Sequence, residues 1–181
     1  MNGSAILSRE VDVARLPSHL VEIIATDAER ERLAAAYDLQ MVSDLRATVE
    51  LFPGARGSVN VEGWVVADIV QTCVVTLVPV DAHIDEAFAI RFVRPDDAPP
   101  VPKSAAEIVV DPDRPDPPEV LDGPTIDIGA LAEEAFVLAI DPYPRAPDAA
   151  LPKELEAPKE PDVDSPFAVL AGLTKPESGD R

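Results

Sequence analysis

The sequence predicts an α+β fold: an antiparallel β-meander, barrel-like if it curls far enough, with two main helices and a short C-terminal helix. Three patterns carry that reading. Segments between residues 43 and 92 alternate apolar and polar residues at period two, with no helical stretch between them. Two other stretches place apolar or helix-forming residues behind side chains suited to capping a helix. Proline divides the chain, with only 3 of 20 in residues 1–94 and 17 in residues 95–181. Residues 1–94 therefore read as a β-rich core, and the remainder as a helix and short packed segments on acidic, proline-rich connections.

In chain order, "SREVDVARL" and "HLVEIIA" read as short strands. "TDAERERLAAAYDL" follows as a helix, with Thr26 and Glu29 forming a T-x-x-E capping box before its Ala- and Leu-rich body. Between residues 43 and 52, Leu45, Ala47, Val49 and Leu51 alternate with Asp44, Arg46, Thr48 and Glu50, as on a strand with one wet face. "FPGARG" supplies turn residues. "SVNVEGWVVADIV" then starts the next strand, with Val59, Val61, Val65 and Ile69 on one side.

Cys73 to Val80 is rich in β-branched residues and reads as a further strand, ended by Pro79. Beyond it, Ile84, Phe88, Ile90 and Phe92 face one way, and His83, Asp85 and Arg91 the other. Residues 95–120, with "PDDAPPVP" and "DPDRPDPPE", are too proline-rich to join a ladder and form an acidic loop. In "IDIGALAEEAFVLAID", Ile128, Leu131, Ala132, Ala135, Leu138 and Ala139 recur at helical spacing behind Asp127 as N-cap, and "PYPRAP" stops the helix. "DSPFAVLAGLTK" offers Ser165 as a cap and Pro166 at the first helical position. Its short apolar turn, with Phe167 and Leu170 on one face, has to dock on its own domain or on a partner.

Charge narrows the function classes. There are 34 Asp and Glu against 15 Lys and Arg, a net of −19. The excess is uneven, 14 acids to 8 bases in residues 1–94 and 20 to 7 in residues 95–181. Such a surface repels phosphate, since duplex affinity comes largely from Lys and Arg displacing counterions. A basic protein partner fits better. The opening "MNGSAILSREVDVARL" has no basic stretch leading into an apolar one, so it is not read as a signal peptide. No run reaches the ~18 apolar residues of a membrane-spanning helix, and a reducing, cytoplasmic setting is expected.

Chemistry is sparse. The single cysteine excludes an internal disulfide. His19 and His83, both expected on strands, have no second ligand at useful spacing, and a structural zinc site wants about four Cys or His ligands. No phosphate-binding Gly-rich loop, H-E-x-x-H or G-x-S-x-G motif occurs. Carboxylates sit mostly in proline-rich loops, so no acid–base pair is specified. Around Cys73 the flanking "QT" and "VVTLVPV" supply no cation to make a reactive thiolate, leaving a small buried residue at a strand start.

Two segments together resemble the YceD-like family of large ribosomal RNA subunit accumulation proteins. The first is "CVVTLVPVDAHIDEAFAIRFVRP", through Cys73, Thr76, Leu77, Pro79 and Val80 and the strand to Phe92. The second is "IDIGALAEEAFVLAIDPYPRAP", through Ile126, Asp127, Gly129, Leu131, Glu134, Pro142 and Pro144. The closing "SPFAVLAGL", with Phe167 and Leu170, also looks like the ending of many members. The resemblance covers residues 1–174 as one domain and leaves residues 175–181 as a disordered tail. Many relatives carry a second cysteine three positions after the first, and some a cysteine-rich C-terminal segment. Here Thr76 stands at that second position, so Cys73 reads as a residue left from that pattern and kept by packing, with no metal or other cofactor expected.

What the resemblance implies is a role in 23S ribosomal RNA synthesis, processing or stability, with no stated reaction. Combined with the charge, it points to a non-enzymatic factor that binds a basic ribosomal or ribosome-assembly protein through its acidic second half, touching RNA indirectly. The alternatives are a direct RNA-binding protein, using residues such as Arg91 and Arg94, or a cryptic RNA-processing enzyme.

Overall fold

A computed structural model of the chain describes residues 5–99 and 117–150. Five strands form one sheet: β2 (Val21–Ile24), β3 (Met41–Pro53), β4 (Val59–Thr72), β5 (Pro79–Val93) and β6 (Glu119–Val120), in the order β2-β3-β4-β5-β6. All neighbours run antiparallel except β5 and β6. A separate two-stranded ladder pairs β1 (Glu10–Asp12) with β7 (Thr125–Asp127). The helices are α1 (Asp27–Ala36) and α2 (Ile128–Leu138). Among the described residues no helix is long and apolar enough to cross a membrane.

The meander is thus confirmed, and the barrel is corrected: β2 and β6 are the two edges of an open sheet and do not pair with each other. The cause is the length of the outer strands. β2 spans four residues and β6 two, too few to bring the edges of three long hairpin strands around to meet. A second correction concerns Cys73 to Val80, which is not a strand of its own. β4 continues to Thr72, β5 starts at Pro79, and the residues between them make the hairpin turn. Glu119 and Val120, assigned to a loop, do join the ladder, opposite Phe92 and Val93. His19 lies in a bend before β2, whereas His83 is on β5 as expected. The C-terminal turn with Phe167 and Leu170 lies outside the described residues, as does most of the acidic loop.

Alternation builds the core. The apolar residues of β3 and β4, among them Leu45, Val49, Val61, Val65 and Ile69, are buried on one face of the sheet. Leu33 of α1 and Ile128, Ala132 and Phe136 of α2 complete the same cluster, so both helices cover that face. Gly63 of β4 lies opposite Phe88 of β5, and the Phe88 ring occupies the space a β-carbon on residue 63 would need. The missing side chain makes room for the aromatic one.

α1 begins with the expected capping box. The Glu29 amide donates to Thr26 Oγ1 at 3.3 Å, and the Thr26 amide donates to Glu29 Oε2 at 2.8 Å. Arg9, from the N-terminal segment, grips the same carboxylate with both terminal guanidinium nitrogens, Nη1 at 2.9 Å and Nη2 at 3.1 Å. These contacts, the Arg9 hydrogen bond first, hold the Glu29 carboxyl down to about 2 from an ordinary 4.5. A carboxyl depressed in the folded state stabilises fully above its unfolded value, and that contribution is lost as pH falls through the folded one. Denaturant melts between pH 4.5 and about 2 should therefore show a loss on the order of 1 kcal/mol, after allowance for solvent screening, that a Glu29→Gln protein lacks. Identical acid profiles for the two proteins would contradict the assignment.

Candidate functional site

The Cys73 turn owes its shape to backbone amides aimed at a sulfur. Thr76 N–H donates to Cys73 Sγ at 3.4 Å and Ala146 N–H at 3.3 Å. Leu77 N–H returns to the Cys73 carbonyl at 3.0 Å, and Leu77 itself sits at φ 61°, a left-handed conformation that a β-strand excludes. That is why β-branched composition misled here. The turn is also tied to the chain after α2: Val74 N–H donates to the Pro144 carbonyl at 2.9 Å, and Gln71 Nε2 to the Asp141 carbonyl at 2.8 Å. Pro144 is buried in this junction, whereas Pro142, Thr76, Leu77 and Pro79 are exposed and Val80 is half-buried.

Cys73 is fully buried, as expected of a packing residue. Its thiol is nonetheless lowered to about 6, by the Ala146 amide first and then by Thr76. The residues flanking Cys73 in sequence hold no cation. The donors are amides, one of them 73 residues away. With Thr76 in place of a second cysteine, and the sulfur engaged by amides, these residues do not fit a zinc centre. Among the described residues no group of three or more His, Cys, Asp or Glu is placed to hold a metal ion.

The second motif segment is a clamp on the N-terminal chain. Ile126 is buried in β7 opposite Val11. Asp127 caps α2 by accepting from Gly129 and Ala130 N–H, both at 3.1 Å, and also accepts from Arg9 N–H and Ser8 Oγ, both at 2.7 Å. Burial works to raise this carboxyl, but its four donors outweigh it and hold it below its ordinary value. Gly129 lets the chain pass: a β-carbon there would overlap the Leu7 carbonyl oxygen. One turn on, Glu133 is buried and accepts from Ile6 N–H at 2.6 Å, Leu7 N–H at 2.8 Å and Tyr37 Oη at 2.7 Å. Burial, and then the Glu133 hydrogen bond, pushes the Tyr37 hydroxyl up to about 12.

Glu133 went unnoticed in the sequence while its exposed neighbour Glu134 was singled out. The signal was helical spacing: Glu133 lies on the face of Gly129, Ala132 and Phe136. By the same geometry Leu138, expected on the buried face, is 79% exposed, and Leu131 is half-buried. The buried face of α2 is turned towards Glu133. A cleft of about 920 Å³ runs between that helix and β5, lined by Phe88, Ile90, Leu131, Glu134 and Leu138, with Pro99 and Pro117 at its border.

Among the described residues the opposite face of the sheet carries no helix. Cross-strand register aligns Glu22, Thr48, Trp64 and Ala87 in one row, and Glu50, Glu62 and Ala89 in the next. Trp64 is 50% exposed, and its indole Nε1 donates to the Asp85 carboxylate. Leu20, 58% exposed, closes a shallow hollow of about 450 Å³ over Trp64, Glu50 and Glu62. Sequence reasoning passed over Trp64, although the pattern was available. In "VEGWVV" it shares the outward parity of Glu62, an aromatic where a wet face expects polarity. Three arginines, Arg56, Arg91 and Arg94, line a different notch of about 350 Å³, in which Asp97 lies 3.8 Å from Arg56.

Motif residues such as Asp127 and Gly129 therefore serve packing and chain routing. Gly129→Ala should destabilise the protein by about 3 kcal/mol through overpacking against Leu7. Gly123→Ala, where a β-carbon meets nothing within 4 Å, should change stability by about 0.5 kcal/mol or less. Equal chemical-denaturation midpoints for the two variants would refute the clamp.

No curated protein and no solved structure matches the chain. A family model described as "Large ribosomal RNA subunit accumulation protein YceD" matches residues 61–174. That span starts within β4 and takes in the Cys73 turn, β5, α2 and the Pro144 junction. It covers more than half of the 181 residues, and the chain belongs to the YceD family of large ribosomal RNA subunit accumulation proteins.

Proposed function

We propose that this protein supports 23S ribosomal RNA accumulation, in the cytoplasm and without catalysing a reaction, by binding a basic ribosomal or ribosome-assembly protein. The observation that carries the reading is charge: a net of −19 on a member of a family tied to ribosomal RNA. A free ribosomal protein has a positive surface made to meet phosphate, and an acidic chain attracts it while repelling the RNA. The acidic second half was the expected binding part, and most of it lies outside the described residues. The described sheet offers acidic surface of its own.

Direct RNA contact is the second reading, and the notch of Arg56, Arg91 and Arg94 is what favours it. With Asp97 inside that notch and acidic surface around it, few phosphates would be neutralised, and affinity would be low.

Capture from lysate on the immobilised full chain tests the first reading. Basic ribosomal or assembly proteins should be retained at low salt, also after ribonuclease treatment, and released above about 300 mM salt as screening shortens the interaction. A retained set without such proteins at every salt concentration would refute it, and retention lost with ribonuclease would favour the RNA reading.

A further inference from the structure

We infer that the sheet face around Trp64, which neither described helix covers, is the docking surface for that basic partner, with one cationic side chain of the partner seated between Glu50 and Glu62 against the indole. The inference rests on the reading above and assigns it a place. Glu50 and Glu62 are direct cross-strand partners of β3 and β4 on the same face. Like charges so placed repel. A second like-charged pair, Asp44 and Asp68, lies on the same two strands, and each of its members has a side-chain partner: Arg46 at 3.0 Å from Asp44 and the His83 imidazole at 2.7 Å from Asp68. Among the described residues Glu50 and Glu62 form no ion pair. They are the pair on this face that an incoming cation would relieve.

The aromatic beside them suits the same guest. Trp64 is the next outward residue of β4 after Glu62, half exposed, and its Nε1–H is engaged by Asp85, which fixes the ring in place. A guanidinium or ammonium group over an indole face gains cation–π energy in addition to the two carboxylates. Leu20, Ala87 and Ala89 supply the apolar border on which an arginine or lysine stem can lie. Tryptophan is also a frequent anchor of protein interfaces. Glu22, Asp44, Glu50, Glu62, Asp68, Asp81 and Asp85 on this face stand against Arg46 and Arg91. That balance repels nucleic acid and repels a second copy of the same face, so the occupant it selects is a cationic protein segment.

Trp64 is the only tryptophan in the chain, so its emission reports the site directly. The probe is a short peptide of alternating arginine and valine, titrated into the full-length protein at low salt. Binding should shift Trp64 emission. The Glu50→Gln/Glu62→Gln double variant should weaken binding at least tenfold while its melting temperature rises by about 1–3 °C, because the repulsion is gone. Glu134→Gln, an exposed carboxylate on α2 and off this face, should leave the affinity within about twofold. Unchanged emission at saturation, or an equal loss in the Glu134 variant, would overturn the inference, as would a stronger emission change with a single-stranded RNA oligonucleotide than with the peptide. The two readings fail separately. Capture of basic proteins from lysate by the wild type and equally by the double variant sinks this surface and leaves the proposed function standing. Absence of any basic protein sinks the function itself.

Discussion

Three donors from two distant parts of the chain converge on the Glu133 carboxylate: the Ile6 and Leu7 amides and the Tyr37 hydroxyl, all within 2.8 Å. A buried carboxylate is tolerated only when its lone pairs are satisfied, so the N-terminal segment and the end of α1 have to meet α2 together. Asp127 repeats the device six residues earlier with Arg9 and Ser8, and Arg9 in turn reaches Glu29 at the start of α1. Both helices are thereby held on one side of the sheet. Neither of the described helices lies on the other side, which carries the half-exposed Trp64.

Elements set by neighbours in sequence were legible; those set by distant partners were not. Alternation from Leu45 to Leu51, the Thr26–Glu29 capping box and the Asp127 cap all depend on residues within a turn or a pleat, and all appear as read. The Cys73 turn depends on Ala146 and Pro144, more than seventy residues on, and a β-branched composition gave no warning of them. The two-residue β6 owes its place to pairing with Phe92 and Val93 rather than to propensity. Openness of the sheet was hidden for the same reason, since closure is a property of edges that meet only in three dimensions. Glu133 and Trp64 were within reach: each is a polar or aromatic residue whose parity places it on the unexpected face.

The same division separates the residues that carry the family resemblance from the face inferred to dock a partner. Cys73, Pro144, Ile126, Asp127 and Gly129 are spent on a sulfur-capped turn and on a clamp around the N-terminal chain. A thiol enclosed by amides and lacking a second cysteine three positions on serves as a hydrogen-bond acceptor in packing. The inferred docking residues are instead outward-facing strand residues whose polarity blends into ordinary surface.

If the acidic sheet face, rather than the buried motif residues, carries the proposed role, charge reversal on that face should abolish it. The most direct test replaces the protein in cells with a Glu50→Lys/Glu62→Lys version and quantifies mature 23S ribosomal RNA against total RNA, with the variant's cellular level and melting temperature as controls. The account predicts a several-fold fall in 23S ribosomal RNA at normal levels of folded protein. Normal 23S ribosomal RNA in those cells would contradict it.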